Sequence, residues 1–70
     1  MTYLVVLEPT STGYGAYVPD LPGCVSTGRT KQQVERNAKE AIELHLSGLR
    51  TEGLPIPECA STAAFVNIDD

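Results

Sequence analysis

The chain has 70 residues and a formal net charge of −4, which allows one small domain (residues 1–70) with a thin core, since at this size folding buries only about 60% of the surface of the unfolded chain. No run of Lys or Arg offers phosphate neutralisation, so direct nucleic-acid binding is not expected. The apolar runs are too short to cross a bilayer, and Met1-Thr2 leads into a strand-like segment with no basic flank, so no secretory signal is read and the expected compartment is the cytoplasm.

Tyr3-Leu4-Val5-Val6-Leu7 is rich in β-branched and aromatic residues and is followed by Pro9, which predicts a first strand over about residues 2–8. Small polar residues from Thr10 to Gly13 form a turn. Tyr14-Gly15-Ala16-Tyr17-Val18 follows as a second, antiparallel strand in which Gly15 implies a bulge or a close backbone approach. Pro19-Asp20-Leu21-Pro22-Gly23 cannot continue a ladder and redirects the chain, after which Cys24-Val25-Ser26-Thr27-Gly28 reads as a third strand.

The helix has the strongest signals. Thr30 and Gln33 form a capping box, no proline occurs between Lys31 and about Glu52, and Gly53 with Pro55 and Pro57 ends the segment. Val34, Ala38, Ala41, Ile42, His45 and Leu49 recur at helical spacing as one apolar stripe. Glu35–Lys39, Arg36–Glu40 and Lys39–Glu43 are i,i+4 pairs on the wet side. Ala63-Ala64-Phe65-Val66-Asn67-Ile68 completes the reading as a last strand. The fold class is therefore α+β, in the order β-β-β-α-β: a small antiparallel sheet with one helix on one face.

The first strand is apolar on both sides, with Tyr3, Val5 and Leu7 on one and Leu4 and Val6 on the other. One helix covers one face, so a second chain is expected on what remains. A homo-oligomer (dimer or tetramer) is anticipated, with Tyr3, Val5 and Leu7 as interface candidates. The acidic balance suits a basic protein partner, although mild acidity also serves solubility alone.

No catalytic constellation emerges. Of nine carboxylates, Glu8 and Asp20 lie near strand ends and Glu35, Glu40 and Glu43 on the exposed helix side, which does not make a Mg²⁺ cluster. His45 has no identifiable nucleophile or orienting acid; it reads as a paired core or interface histidine, and at a subunit contact it would make association pH-sensitive. Cys24 and Cys59 lack zinc-ligand spacing. A disulfide between them is an alternative to free thiols, and Cys24 reads as a small buried residue rather than a reactive one. No metal, cofactor or catalytic residue is expected. Tyr3, Tyr14 and Tyr17 divide between sheet packing and interface roles.

The run Pro19-Asp20-Leu21-Pro22-Gly23-Cys24, then Gly28 and Thr30 before a helix carrying Ala38 and Ala41-Ile42-Glu43-Leu44-His45-Leu46, then Glu52-Gly53-Leu54-Pro55-Ile56-Pro57, resembles the HicB antitoxin family from Tyr3 to about Ile68. The resemblance implies a partial ribonuclease-H-like fold without a working active site. It also implies a small basic HicA-type mRNA-cleaving toxin as partner, masked by an acidic surface, for which Glu8, Tyr14, Tyr17 and Asp20 are the candidates. Many HicB proteins continue into a DNA-binding helix-turn-helix or ribbon-helix-helix segment. That segment is missing from these 70 residues, so operator binding is not expected of them. Two rivals stand beside a toxin-binding module. A stand-alone oligomeric or structural protein-binding domain would lack a toxin partner, and a degenerate metal-dependent nuclease would cleave RNA and lose that activity on Asp20→Asn.

Overall fold

A computed structural model describes residues 1–69. Its elements are β1 (Val6–Thr10), β2 (Gly13–Tyr17), β3 (Val25–Gly28) and α1 (Lys31–Thr51), and the sheet is antiparallel in the order β1-β2-β3. The α+β class, the second and third strands and the helix match the sequence reading; the bounds of the first strand and the presence of the last do not.

The first correction concerns β1, which pairs from Val6 to Thr10 and not from residue 2. The register Val6↔Tyr17 would set Leu4 opposite Pro19, where the chain turns away and a proline offers no donor. Residues 1–5 therefore lie outside the ladder. Downstream, Pro9 does not end the strand: it pairs with Tyr14, which an edge strand tolerates because its outer side needs no N–H. The second correction concerns residues 63–68, which form no strand. Their composition is right for one, but a strand exists only through a partner, and no ladder reaches them. Gly15 produces no bulge either; it sits in register between Glu8 and Thr27.

Between β2 and β3 the chain folds on itself through three backbone bonds, Val18 N–H to Cys24 O (3.1 Å), Leu21 N–H to Val18 O (3.0 Å) and Cys24 N–H to Leu21 O (3.0 Å). Gly23 takes φ +83° there, a left-handed conformation that suits glycine. The turn drives Leu21 to complete burial beside Val18, Cys24 and Leu46, with Tyr3, Val5, Ala41, Ile42, Leu49 and Ile56 packed around them.

Thr30 caps α1, its hydroxyl oxygen accepting the Gln33 amide at 3.0 Å. The Gln33 side chain accepts the amide of Arg29 at 2.6 Å, one residue earlier than a reciprocal capping box uses. At the other end, Gly53 (φ +70°) donates to Arg50 O and Leu54 to Leu49 O, a Schellman stop that satisfies two last-turn carbonyls. The helix packs on β2 and β3. Its buried residues are Val34, Ala38 and Leu46, so Leu46 rather than His45 occupies the middle of the stripe. His45 is half-buried at its margin.

Two side chains tie β3 to the helix: the Ser26 hydroxyl donates to Val34 O (3.4 Å) and the Asn37 amide to Thr27 O (2.8 Å). Backbone approach is closest at Gly28, where a Cβ would lie 2.6 Å from the Val34 nitrogen. A methyl there must push helix from strand. At Gly48, inside the helix, an added methyl meets nothing within 4 Å. Gly28→Ala should therefore destabilise the fold by about 1–3 kcal/mol, whereas Gly48→Ala should stabilise it by about 0.5–1 kcal/mol. Chemical denaturation of the two variants checks this, and equal effects would contradict the close approach.

Candidate partner-binding face

The sheet has two unlike faces. On one, Leu7 and Ser26 flank Ala16 across the strands; Ala16 is buried and Ser26 bonds to the helix, so this is the side α1 covers. Alternation then puts Val6, Tyr17 and Val25, which are aligned in register, on the other side. Tyr17 is 42% and Val25 65% exposed. The next row is Glu8, Gly15 and Thr27, in which Gly15 leaves a notch with room above it. This uncovered face presents a short apolar band with one carboxylate beside it, a combination that takes an apolar side chain and a basic group together.

The four residues expected to meet a partner fall in three places. Glu8 and Tyr17 share the open face. Tyr14 is on the helix side at the hairpin end, where the Lys31 ammonium stands 6.0 Å from its ring centroid. Asp20 is engaged within the chain: Oδ2 accepts the amides of Ala60 (3.0 Å) and Ser61 (2.9 Å), and Oδ1 accepts the Ser61 hydroxyl (2.7 Å). That clasp, 41 residues away in sequence, had no local signal. The interface candidates divide as well. Tyr3 and Val5 pack on the chain's own core, and Leu7 points to the same side, so the open side of the first segment belongs to Leu4 and Val6. The Tyr3 hydroxyl donates to Pro57 O and, with the Asp20 clasp, fixes the connector after the helix.

In the turn Pro19–Cys24, Leu21 and Cys24 are buried while Pro19, Pro22 and Gly23 are exposed. Cys24 and Cys59 are free thiols, and burial pushes the Cys24 thiol up. His45 borders a shallow cleft with Gly23, Cys24 and Ala41. Among the described residues, no three His, Cys, Asp or Glu side chains converge as metal ligands would, and no helix is long and apolar enough to cross a membrane.

The profile of the HicB_like antitoxin of bacterial toxin-antitoxin system matches residues 3–70. The chain belongs to the HicB-like antitoxin family. It is 36% identical over 67 residues to the "Uncharacterized 14.9 kDa protein in rep-hol intergenic region" of Haemophilus phage HP1, covering 96% of this chain and 50% of that protein. It is 49% identical over 49 residues to a UPF0150 protein of Helicobacter pylori, covering 70% of this chain and 68% of that one. Among solved structures it resembles a chain of the HicA3 and HicB3 toxin-antitoxin complex, with a TM-score of 0.70 and 36% identity, covering 79% of this HicB-like chain and 64% of the other. The chain thus spans half the length of the phage relative and under two thirds of the solved chain.

The Ser61 hydroxyl, then the Ser61 and Ala60 amides, hold the Asp20 carboxyl below the usual carboxylate range against some desolvation. Because the folded value is depressed, the clasp contributes stability above the unfolded value of about 3.9 and loses it as pH falls through the folded value. The amide resonances of Ala60 and Ser61 should hold steady at neutral pH and move only in acid below that unfolded value. Asp20→Asn should displace them already at neutral pH. Resonances indifferent to both changes would contradict the clasp.

Proposed function

We propose that this HicB-like chain is a non-enzymatic, cytoplasmic antitoxin module that binds a small basic HicA-type ribonuclease and hides its active site. The observation that carries this reading is the uncovered sheet face, with its Val6-Tyr17-Val25 band beside Glu8, on a chain of family and fold akin to a component of a toxin-antitoxin complex. A basic RNA-cleaving protein presents cations where its substrate binds. A net charge of −4 steers such a partner toward this chain, and the apolar band supplies the contact that persists once water is displaced. Tyr17 is the anchor in this arrangement and Glu8 the group that orients the cation. Occlusion needs no chemistry from the antitoxin.

Asp20 is poorly suited to the nuclease alternative, because both of its carboxylate oxygens are already acceptors in the clasp. Self-association is the second part of the reading, since the same chain leaves apolar surface uncovered at Val25, Phe65, Val66 and Ile68.

The test is co-purification with the product of the adjacent reading frame, followed by an RNA-cleavage assay of that product with and without this chain. Binding and suppression of cleavage are expected. Tyr17→Ala should weaken binding by about 10–100-fold, and Glu8→Lys should slow association and alter its salt dependence. A basic neighbour that ignores the purified chain, or a complex insensitive to both substitutions, would remove the reading.

A further inference from the structure

We propose that residues 63–68 of one copy lie as an added strand along the outer edge of β1 of a second copy, and that the exchange is reciprocal. This rests on the self-association part of the reading above and names the segment and edge that achieve it.

Among the described residues the sheet ends at β1, whose outer side has no ladder partner. Such an edge presents free donors and acceptors, interrupted here at Pro9, which has no N–H to offer. The same chain carries a strand without a sheet. Ala63-Ala64-Phe65-Val66-Asn67-Ile68 has strand-forming composition and no charge, yet all six residues are exposed, with Phe65 at 103%, Val66 at 75% and Ile68 at 74%. A run of this kind in water lowers its free energy by finding a sheet edge.

The geometry places the two halves near each other. The segment's root is anchored by Asp20 at Ala60 and Ser61 and by Tyr3 at Pro57, and beyond it the chain projects. Extended, the eight residues after Ser61 would reach about 26 Å. Beside β1 lies an unfilled cleft of about 680 Å³, bordered by Leu4, Val6, Leu7 and Pro9 and reaching Tyr14 and Lys31, with the chain's own Ala63 and Phe65 as part of its rim. The segment starts beside the edge without forming a ladder on it.

A second copy is the occupant that the observations favour. The cleft is mostly apolar, as the segment is, and it is bordered by Lys31 and by no carboxylate, which disfavours a basic partner there. A two-fold arrangement supplies a strand to each edge and an edge to each strand in one step. It also buries both tails. The two Phe65 rings alone bring about 300–500 Å² of the roughly 1,200–2,000 Å² of a stable association, and the rest falls to the paired strands and the cleft.

The experiment uses the whole chain. Light scattering behind size exclusion should give twice the 7.5 kDa chain mass, dissociating on dilution. Val66→Pro, which removes a ladder donor, and Phe65→Asp should each weaken the dimer at least about tenfold. Their helical circular dichroism should stay unchanged, because both positions are exposed in the single chain. In a sample mixing isotope-labelled and unlabelled copies, Phe65 should show intermolecular contacts to Leu4 or Val6. A dimer abolished by Val25→Asp but indifferent to both tail variants would overturn the strand exchange and leave self-association through the open face. A ladder formed by residues 63–68 on β1 within one chain would also overturn it. A monomer at every concentration would remove self-association altogether, and toxin binding is judged separately by co-purification.

Discussion

A chain this short has room for few fully buried large side chains, and among the described residues Leu21 and Val34 are the ones that reach that state. Leu21 gets there because the Val18–Cys24 turn is closed by its own backbone; the turn then acts as a plug between the sheet and Leu46. Val34 gets there because Gly28 lets the helix come against β3. Loss of either constraint would separate α1 from the strands, and the two faces of the sheet would no longer differ. The open face, the placement of Asp20 and the origin of the C-terminal segment all follow from that one packing arrangement.

The turn serves two purposes with neighbouring residues. Leu21 goes inward, while Asp20, one residue earlier, collects three hydrogen bonds from the connector. A short sequence of prolines, an acid and a glycine thus sets both the core and the course of a segment some forty residues downstream. The chain that carries this turn is a member of the HicB-like antitoxin family.

What could be read in the sequence is what depends on neighbours in sequence. The Thr30 cap, the Gly53 stop and the helical spacing of Val34, Ala38 and Leu49 all act within a few residues, and the helix emerged where they placed it. The hairpin was legible for the same reason. The strand expected at 63–68 was not, because β composition says that a segment would make a good strand but not that an edge awaits it. The first strand was misplaced by a related cause: its apolar run is real, but its ladder length is set by Pro19 on the facing segment. Asp20 was singled out as a surface residue because nothing local announces Ala60 and Ser61. The sharing of a face by Glu8 and Tyr17 needed the register, which no single strand's sequence contains.

The hydrogen bond from Asn37 to Thr27 O has a consequence for the sheet as a whole. Thr27 lies in β3, on the border opposite β1, and its carbonyl already has a donor from the helix. The sheet's two borders are thereby unequal: along β1 the interruption is a donor missing at Pro9, and along β3 it is an acceptor already engaged at Thr27. A copy that offers one strand and one receptive border closes into a pair only when the exchange is reciprocal; a one-way exchange would run on as an open chain.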